Sequence, residues 1–204
     1  LYTIINTNLC LRTLQLSLTA LAINILKLEM NESISLSQLN TIECDEFVHL
    51  LAGTFEHSSW IPRCAYKLRP FESFSDLHSK MVAVIKGSTE EQQLSLLKAH
   101  PELAGKEARD GVLTASSTRE QSHVGMNDLS HDELLYVAQL NAQYFEKFKF
   151  PFIIAVLDNT KKDIFRKWNQ RLSNNYEHEL KICLEQVYLI GELRLAALNN
   201  EKKN

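Results

Sequence analysis

Apolar residues from about Thr41 onward recur every three or four positions, the interval that places them on one face of a helix. Ile42, Phe47, Leu50, Leu51 and Phe55 do so in a helix expected over Thr41–His57 and predicted to end at Trp60-Ile-Pro62. Ser75 is placed to cap a second run through Leu77, Met81, Val84 and Ile85, with Gly87 as its stop. Ser88 with Glu91, Ser117 with Glu120 and Ser130 with Glu133 each read as a capping box, a hydroxyl followed three residues later by a carboxylate. Two more helices are expected, one from Asn159 or Thr160 through Ile164, Phe165, Trp168 and Leu172, the other from about Tyr176 to Leu198. Phe150–Val156 has strand propensity without a partner, and reads as a buried extended connector. Only six glycines and four prolines interrupt 204 residues. The pattern predicts an all-α fold, a single irregular helical bundle.

Charge narrows the function. A net charge of −3 does not suit a nucleic-acid binder, which needs a basic surface against phosphates. Lys161, Lys162, Arg166, Lys167 and Arg171 fall at helical spacings around Asp163, and read as a solvated helix face. Cys10, Cys44, Cys64 and Cys183 are too far apart for a ligand pair or a redox motif, which predicts reduced thiols and no metal site. His49 with His57, and His123 with His131, are eight apart and lack the HExxH pattern. Leu1–Leu28 is apolar with few charges, but its greasiest part, Leu14–Leu26, is short for a membrane span. Residues 1–29 are therefore expected to be an N-terminal extension, and 30–204 the domain, with Met30 as a natural start.

Three residues need a common explanation. His100 ends a helical run and is followed at once by Pro101, which stiffens the backbone around the one side chain that titrates near neutrality. Taken singly it reads as a core histidine bonded to a carbonyl. Glu120 reads as the capping partner of Ser117. Arg194 lies on the inward stripe Tyr176, Leu180, Cys183, Val187, Ile190, Arg194 and Ala197 of the last helix, where it either snorkels to water or holds an anion in its fork.

The segments HPELAGK (100–106), SSTREQSHVGM (116–126), LNAQYFEKFKFPFIIAV (140–156) and ELRL (192–195) resemble, in order and spacing, the decarboxylases that act on 2-oxo-4-hydroxy-4-carboxy-5-ureidoimidazoline (OHCU). That family performs the last step from urate to S-allantoin. The resemblance covers about Ile42 to Leu198. It implies a cofactor-free, all-helical, usually dimeric enzyme. Carried over by position, it implies His100 and Glu120 as catalytic residues. It implies substrate-binding roles for Pro101, Ser117, Gln121 and Arg194, and for the connector Phe152, Ile153, Ile154, Ala155 and Val156.

The implied reaction suits these side chains. The substrate's carboxylate sits beside a ring C=N that can accept the electrons left when CO2 departs. The protein need only orient the carboxylate, stabilise charge and deliver a proton to one face. The C-terminal Glu201-Lys-Lys-Asn204 differs from a peroxisomal SKL address, so a cytoplasmic protein without membrane or nucleic-acid partners is expected. The rivals are a catalytically silent helical interaction module and a hydrolase on a related ureido compound.

Overall fold

Hydroxyl side chains cap half of the described helices. The structure, a computed structural model, describes residues 34–200. Among them are ten α-helices and no strand: α1 (Leu36–Thr41), α2 (Cys44–Leu50), α3 (Trp60–Ala65), α4 (Phe74–Lys86), α5 (Glu90–Lys98), α6 (Lys106–Arg109), α7 (Ala115–His123), α8 (His131–Phe148), α9 (Lys161–Arg171) and α10 (Tyr176–Asn200). Leu36–Ala197 forms one compact unit. The all-α expectation is met. The expected extension, residues 1–29, lies outside the described residues. No described helix is long and apolar enough to cross a membrane.

Reciprocal capping boxes open α5 (Thr89 with Gln92), α8 (Ser130 with Glu133) and α9 (Thr160 with Asp163). Only the second matches the predicted pair. α4 is capped by Ser73, which accepts from Asp76 N, rather than by Ser75. Two boundaries differ more. The helix predicted over Thr41–His57 stops at Leu50, and residues 51–59 run in turns. Trp60-Ile-Pro62, expected to end a helix, begins α3, because a proline in the first turn gives up an N–H that has no helical acceptor.

The connector after α8 is as predicted. Phe150 to Val156 is buried at every position. Phe152 stacks on Trp168 at 4.5 Å between ring centres, and Tyr144 meets Phe152 edge-on at 5.3 Å. These contacts tie α8, the connector and α9 into one aromatic core.

Arg171 corrects the reading of a solvated basic face, for it is 9% exposed. Its Nε donates to Glu179 Oε1 at 2.7 Å, and a terminal N–H to the Ile153 carbonyl at 2.7 Å. Tyr144 also donates to Glu179, and Cys183 Sγ lies 3.0 Å from Arg171. Burial holds the Cys183 thiol up at about 11, so it stays protonated. Periodicity does not distinguish this arginine from its exposed neighbours, because the partner that draws it inward lies on another helix.

On α10 the stripe Cys183, Val187, Ile190 and Arg194 is buried as expected, while Tyr176 and Ala197 at its ends are exposed. Gly191 makes the close approach possible. A Cβ there would sit 2.7 Å from the Phe55 ring. The helix is thereby pressed against residues 51–59, and Arg194, three residues on, lies over Glu56.

Candidate active site

His100 directly follows the C-cap of α5, and its N–H donates to Leu97 O at 3.1 Å. The imidazole turns back, with Nδ1 2.9 Å from the Leu96 carbonyl. A carbonyl can only accept, so Nδ1 carries a proton, and in the neutral ring Nε2 keeps the lone pair. Nε2 is buried and has no hydrogen-bond partner among the described residues. Burial pushes the His100 pKa down to about 4; the Leu96 carbonyl and the charge of Glu56 pull the other way, while Arg194 and His57 add to the depression. The empty site therefore holds a neutral imidazole whose free nitrogen is Nε2.

The corner after His100 is clamped. Leu103 O accepts from Asn141 Nδ2 at 3.1 Å, and Ala104 N donates to Gln121 Oε1 at 3.0 Å. Ala104 adopts a left-handed φ of 46°, and a Cβ on Gly105 would lie 2.5 Å from Glu102 Cβ. That crowding demands glycine in the HPELAG segment. Because Ala104 N–H must meet an oxygen, the Gln121 amide is oriented with its NH2 end left to offer.

α7 starts three residues earlier than its Ser117/Glu120 pattern suggests, with Thr114 as the cap accepting from Ser117 N. Ser117 and Glu120 are thereby released from capping. Ser117 Oγ donates to Glu56 Oε2 at 3.1 Å. Glu120 instead takes Arg194: Nε to Oε1 at 2.7 Å and a terminal N–H to Oε2 at 2.8 Å. The other Arg194 donors reach Ser117 Oγ at 3.2 Å, Gly53 O at 3.2 Å and Glu56 Oε2 at 2.8 Å. Arg194 does not snorkel: it is buried, and its fork here holds the carboxylate of Glu120.

Glu56 was not singled out from sequence. It is 2% exposed and also accepts from Thr114 Oγ1 at 2.6 Å. Burial works to raise its pKa, but the Thr114 hydroxyl and the Arg194 guanidinium outweigh that and hold it below the usual carboxylate range. Arg194 responds in kind: burial works to lower its pKa, and hydrogen bonds and charge from Glu120 and Glu56 raise it. A signal existed, since an acid beside Phe55 and near Leu51 and Ile61 must find a partner if buried. Only the position of α10 says which.

His100 and its neighbours border a cavity that opens to solvent. His100, Pro101, Ser117, Glu120, Gln121, Phe152, Ile153, Ile154, Val156 and Arg194 all line it, joined by Leu103 and Ile190. Ala155 does not. Its N–H donates to Gln186 Oε1 at 3.0 Å and its carbonyl accepts from Asn159 at 2.8 Å, so both backbone groups are spent on holding the connector. The lining thus combines the His100 imidazole, the polar side chains of Ser117, Glu120, Gln121 and Arg194, and an apolar remainder.

A family model described as OHCU decarboxylase matches residues 40–196. The chain is 40% identical over 169 residues to the "Uric acid degradation bifunctional protein" of Bacillus sp. (strain TB-90), covering 83% of this chain and 33% of that protein. It therefore spans about a third of the bifunctional relative's length. It is 36% identical to the 2-oxo-4-hydroxy-4-carboxy-5-ureidoimidazoline decarboxylase of Mus musculus, over 79% of this chain and 90% of that one. Among solved structures, one described as (S)-allantoin synthase superposes with a TM-score of 0.65 at 28% identity, covering 81% of this chain and 54% of that chain.

Proposed function

This chain belongs to the OHCU decarboxylase family, and on that premise we propose that its cavity decarboxylates OHCU to S-allantoin, as a carboxy-lyase of urate degradation. The observation that carries the reading is His100, whose Nε2 is buried and unpartnered, lining the same cavity as Glu120, Ser117, Gln121 and Arg194. Loss of CO2 leaves an electron pair that the ring imine accepts, and a single fixed nitrogen then governs proton exchange at one face. General acid–base catalysis of this kind contributes about 10²–10⁴-fold.

The remaining side chains take roles that follow from their contacts. Gln121 and the connector at Phe152–Ile154 orient the planar ring. Glu120 accepts substrate N–H groups when it loosens from Arg194. Arg194 fixes Glu120 in place, and Ser117 braces Arg194 and Glu56. Spontaneous decarboxylation would give racemic product, so the stiffness of the His100-Pro101 corner is what makes the product one enantiomer.

Circular dichroism of freshly generated OHCU mixed with the protein tests the reading: S-allantoin should form faster and in higher enantiomeric excess than in buffer. Equal rate and a racemic product would refute it. Loss of CO2 in the product mass separates it from a hydrolase, which would add water. A homodimer in the cytoplasm belongs to the same proposal, and sedimentation velocity of the purified protein gives the stoichiometry.

A further inference from the structure

Two side chains hold the peptide units on either side of Ile154. Arg171 of α9 donates to the Ile153 carbonyl at 2.7 Å. The Ala155 N–H donates to Gln186 Oε1 of α10 at 3.0 Å. In a planar trans peptide the carbonyl and the N–H point in opposite directions. The unit that Arg171 grips by the Ile153 carbonyl therefore aims the Ile154 N–H away from α9. The unit that Gln186 grips by the Ala155 N–H aims the Ile154 carbonyl away from α10. Neither Ile154 group has a hydrogen-bond partner among the described residues, and Ile154 lines the cavity whereas Ala155 does not. A buried backbone pair of this kind needs partners, and here it is left to whatever occupies the cavity, water or substrate.

We propose, resting on the decarboxylase reading above, that Gln186 is a positioning residue for this reaction: by holding the Ala155 N–H it aims the Ile154 carbonyl at an N–H group of the substrate. Gln186 is not among the residues that line the cavity, so it acts through the backbone alone. It stands about one turn of α10 before Ile190 and two before Arg194, both of which line the cavity. One rigid helix thus sets the direction of the connector carbonyl and the Arg194 fork around Glu120 in the same frame. Asn159 steadies the next carbonyl, donating to Ala155 O at 2.8 Å while Lys167 Nζ braces its own Oδ1 at 2.5 Å.

The contact that Gln186 aims is made to a part of the substrate where no bond breaks. It is therefore as strong in the ground state as in the transition state, and its loss weakens binding without slowing the chemical step. Only the acceptor oxygen of Gln186 is used for this. Glutamate keeps such an oxygen at the same reach. Methionine has nearly the same length and shape but offers the Ala155 N–H only a weakly accepting sulfur.

Michaelis–Menten kinetics on freshly generated OHCU, together with amide hydrogen exchange of the free protein, test this. Gln186→Met should raise KM about fivefold, the worth of one ordinary hydrogen bond, with kcat within about twofold of wild type. Gln186→Glu should return KM to near the wild-type value. The Ala155 amide should exchange about tenfold faster in the Met variant and at the wild-type rate in the Glu variant. An unchanged KM in Gln186→Met, an equal loss in both variants, or Ala155 exchange that ignores the Met substitution each overturns the proposal. Absence of acceleration by the wild type overturns the decarboxylase reading itself, on which the exchange rates do not depend.

Discussion

Arg194 holds Glu120 in a two-pronged ion pair, Nε to Oε1 at 2.7 Å and a terminal N–H to Oε2 at 2.8 Å, across 74 positions of sequence. The same guanidinium reaches Glu56, 138 positions away, at 2.8 Å. It thus joins the turns after α2, the helix α7 and the end of α10 at the cavity wall. It is a structural clamp and a part of the site at once.

Replacing Arg194 should therefore affect both properties. Arg194→Ala leaves Glu56 buried without its charge partner, and should cost about 3–5 kcal/mol in urea unfolding. Arg194→Lys supplies a point charge that cannot span Glu120, Ser117, Gly53 and Glu56 together, and should lower both the unfolding midpoint and kcat/KM. A Lys variant with wild-type midpoint and kinetics would show that the fork geometry is immaterial.

His100→Asn should lose about 10²–10⁴-fold in turnover while keeping its helical circular dichroism. The amide nitrogen of asparagine can replace Nδ1 as donor to Leu96 O, but nothing replaces Nε2. Turnover near the wild-type rate would remove His100 from the chemistry.

His100 also predicts an acid-sensitive fold. Its pKa lies at about 4 in the folded protein and near 6.5 when unfolded, so the unfolded chain binds more protons between those values. Stability should fall as pH drops through that window, by about 2 kcal/mol between pH 7 and pH 5. Below the usual carboxylate pKa the depressed Glu56 adds a further loss of the same sign. Comparing urea midpoints of the wild type and His100→Asn at the two pH values isolates the histidine, and an identical pH response in both would sink the prediction.

The Arg171–Glu179 pair is a second clamp. Arg171→Leu leaves the Glu179 carboxylate, 0% exposed, without its counter-ion, at a cost of about 3–5 kcal/mol. Removing both charges in Arg171→Leu/Glu179→Leu should recover much of that loss. Because Arg171 also holds the Ile153 carbonyl at the cavity wall, the double variant should keep its fold yet show a raised KM. Thermal melts and Michaelis–Menten kinetics on both variants decide this.

Gly191→Ala brings a methyl to 2.7 Å from the Phe55 ring, and should destabilise by about 1–3 kcal/mol. Adding Phe55→Leu should return part of it. An unshifted melting temperature for the single variant would mean that α10 can move away from residues 51–59 freely.

The positions of the helix starts show how local signals were misread. Ser75, Ser88 and Ser117 each offered a plausible cap, yet Ser73, Thr89 and Thr114 do the work. Hydroxyls one to three residues apart compete nearly equally for a helix start. Packing of the apolar face selects among them. The shift at α7 matters most, because it turns Ser117 and Glu120 from capping partners into cavity groups.

Local signals (apolar spacing, propensity and the proline after His100) were enough to establish the helical pattern of the described residues, a buried connector at Phe150–Val156 and a stiff corner at His100-Pro101, since those depend on neighbours a few residues apart. It could not reveal that Glu56 lies under Arg194, that Arg171 turns inward to Glu179, or that the Arg194 fork is already full. Such pairings cost desolvation that only a partner from a distant segment offsets, and which segment arrives is decided when the helices pack.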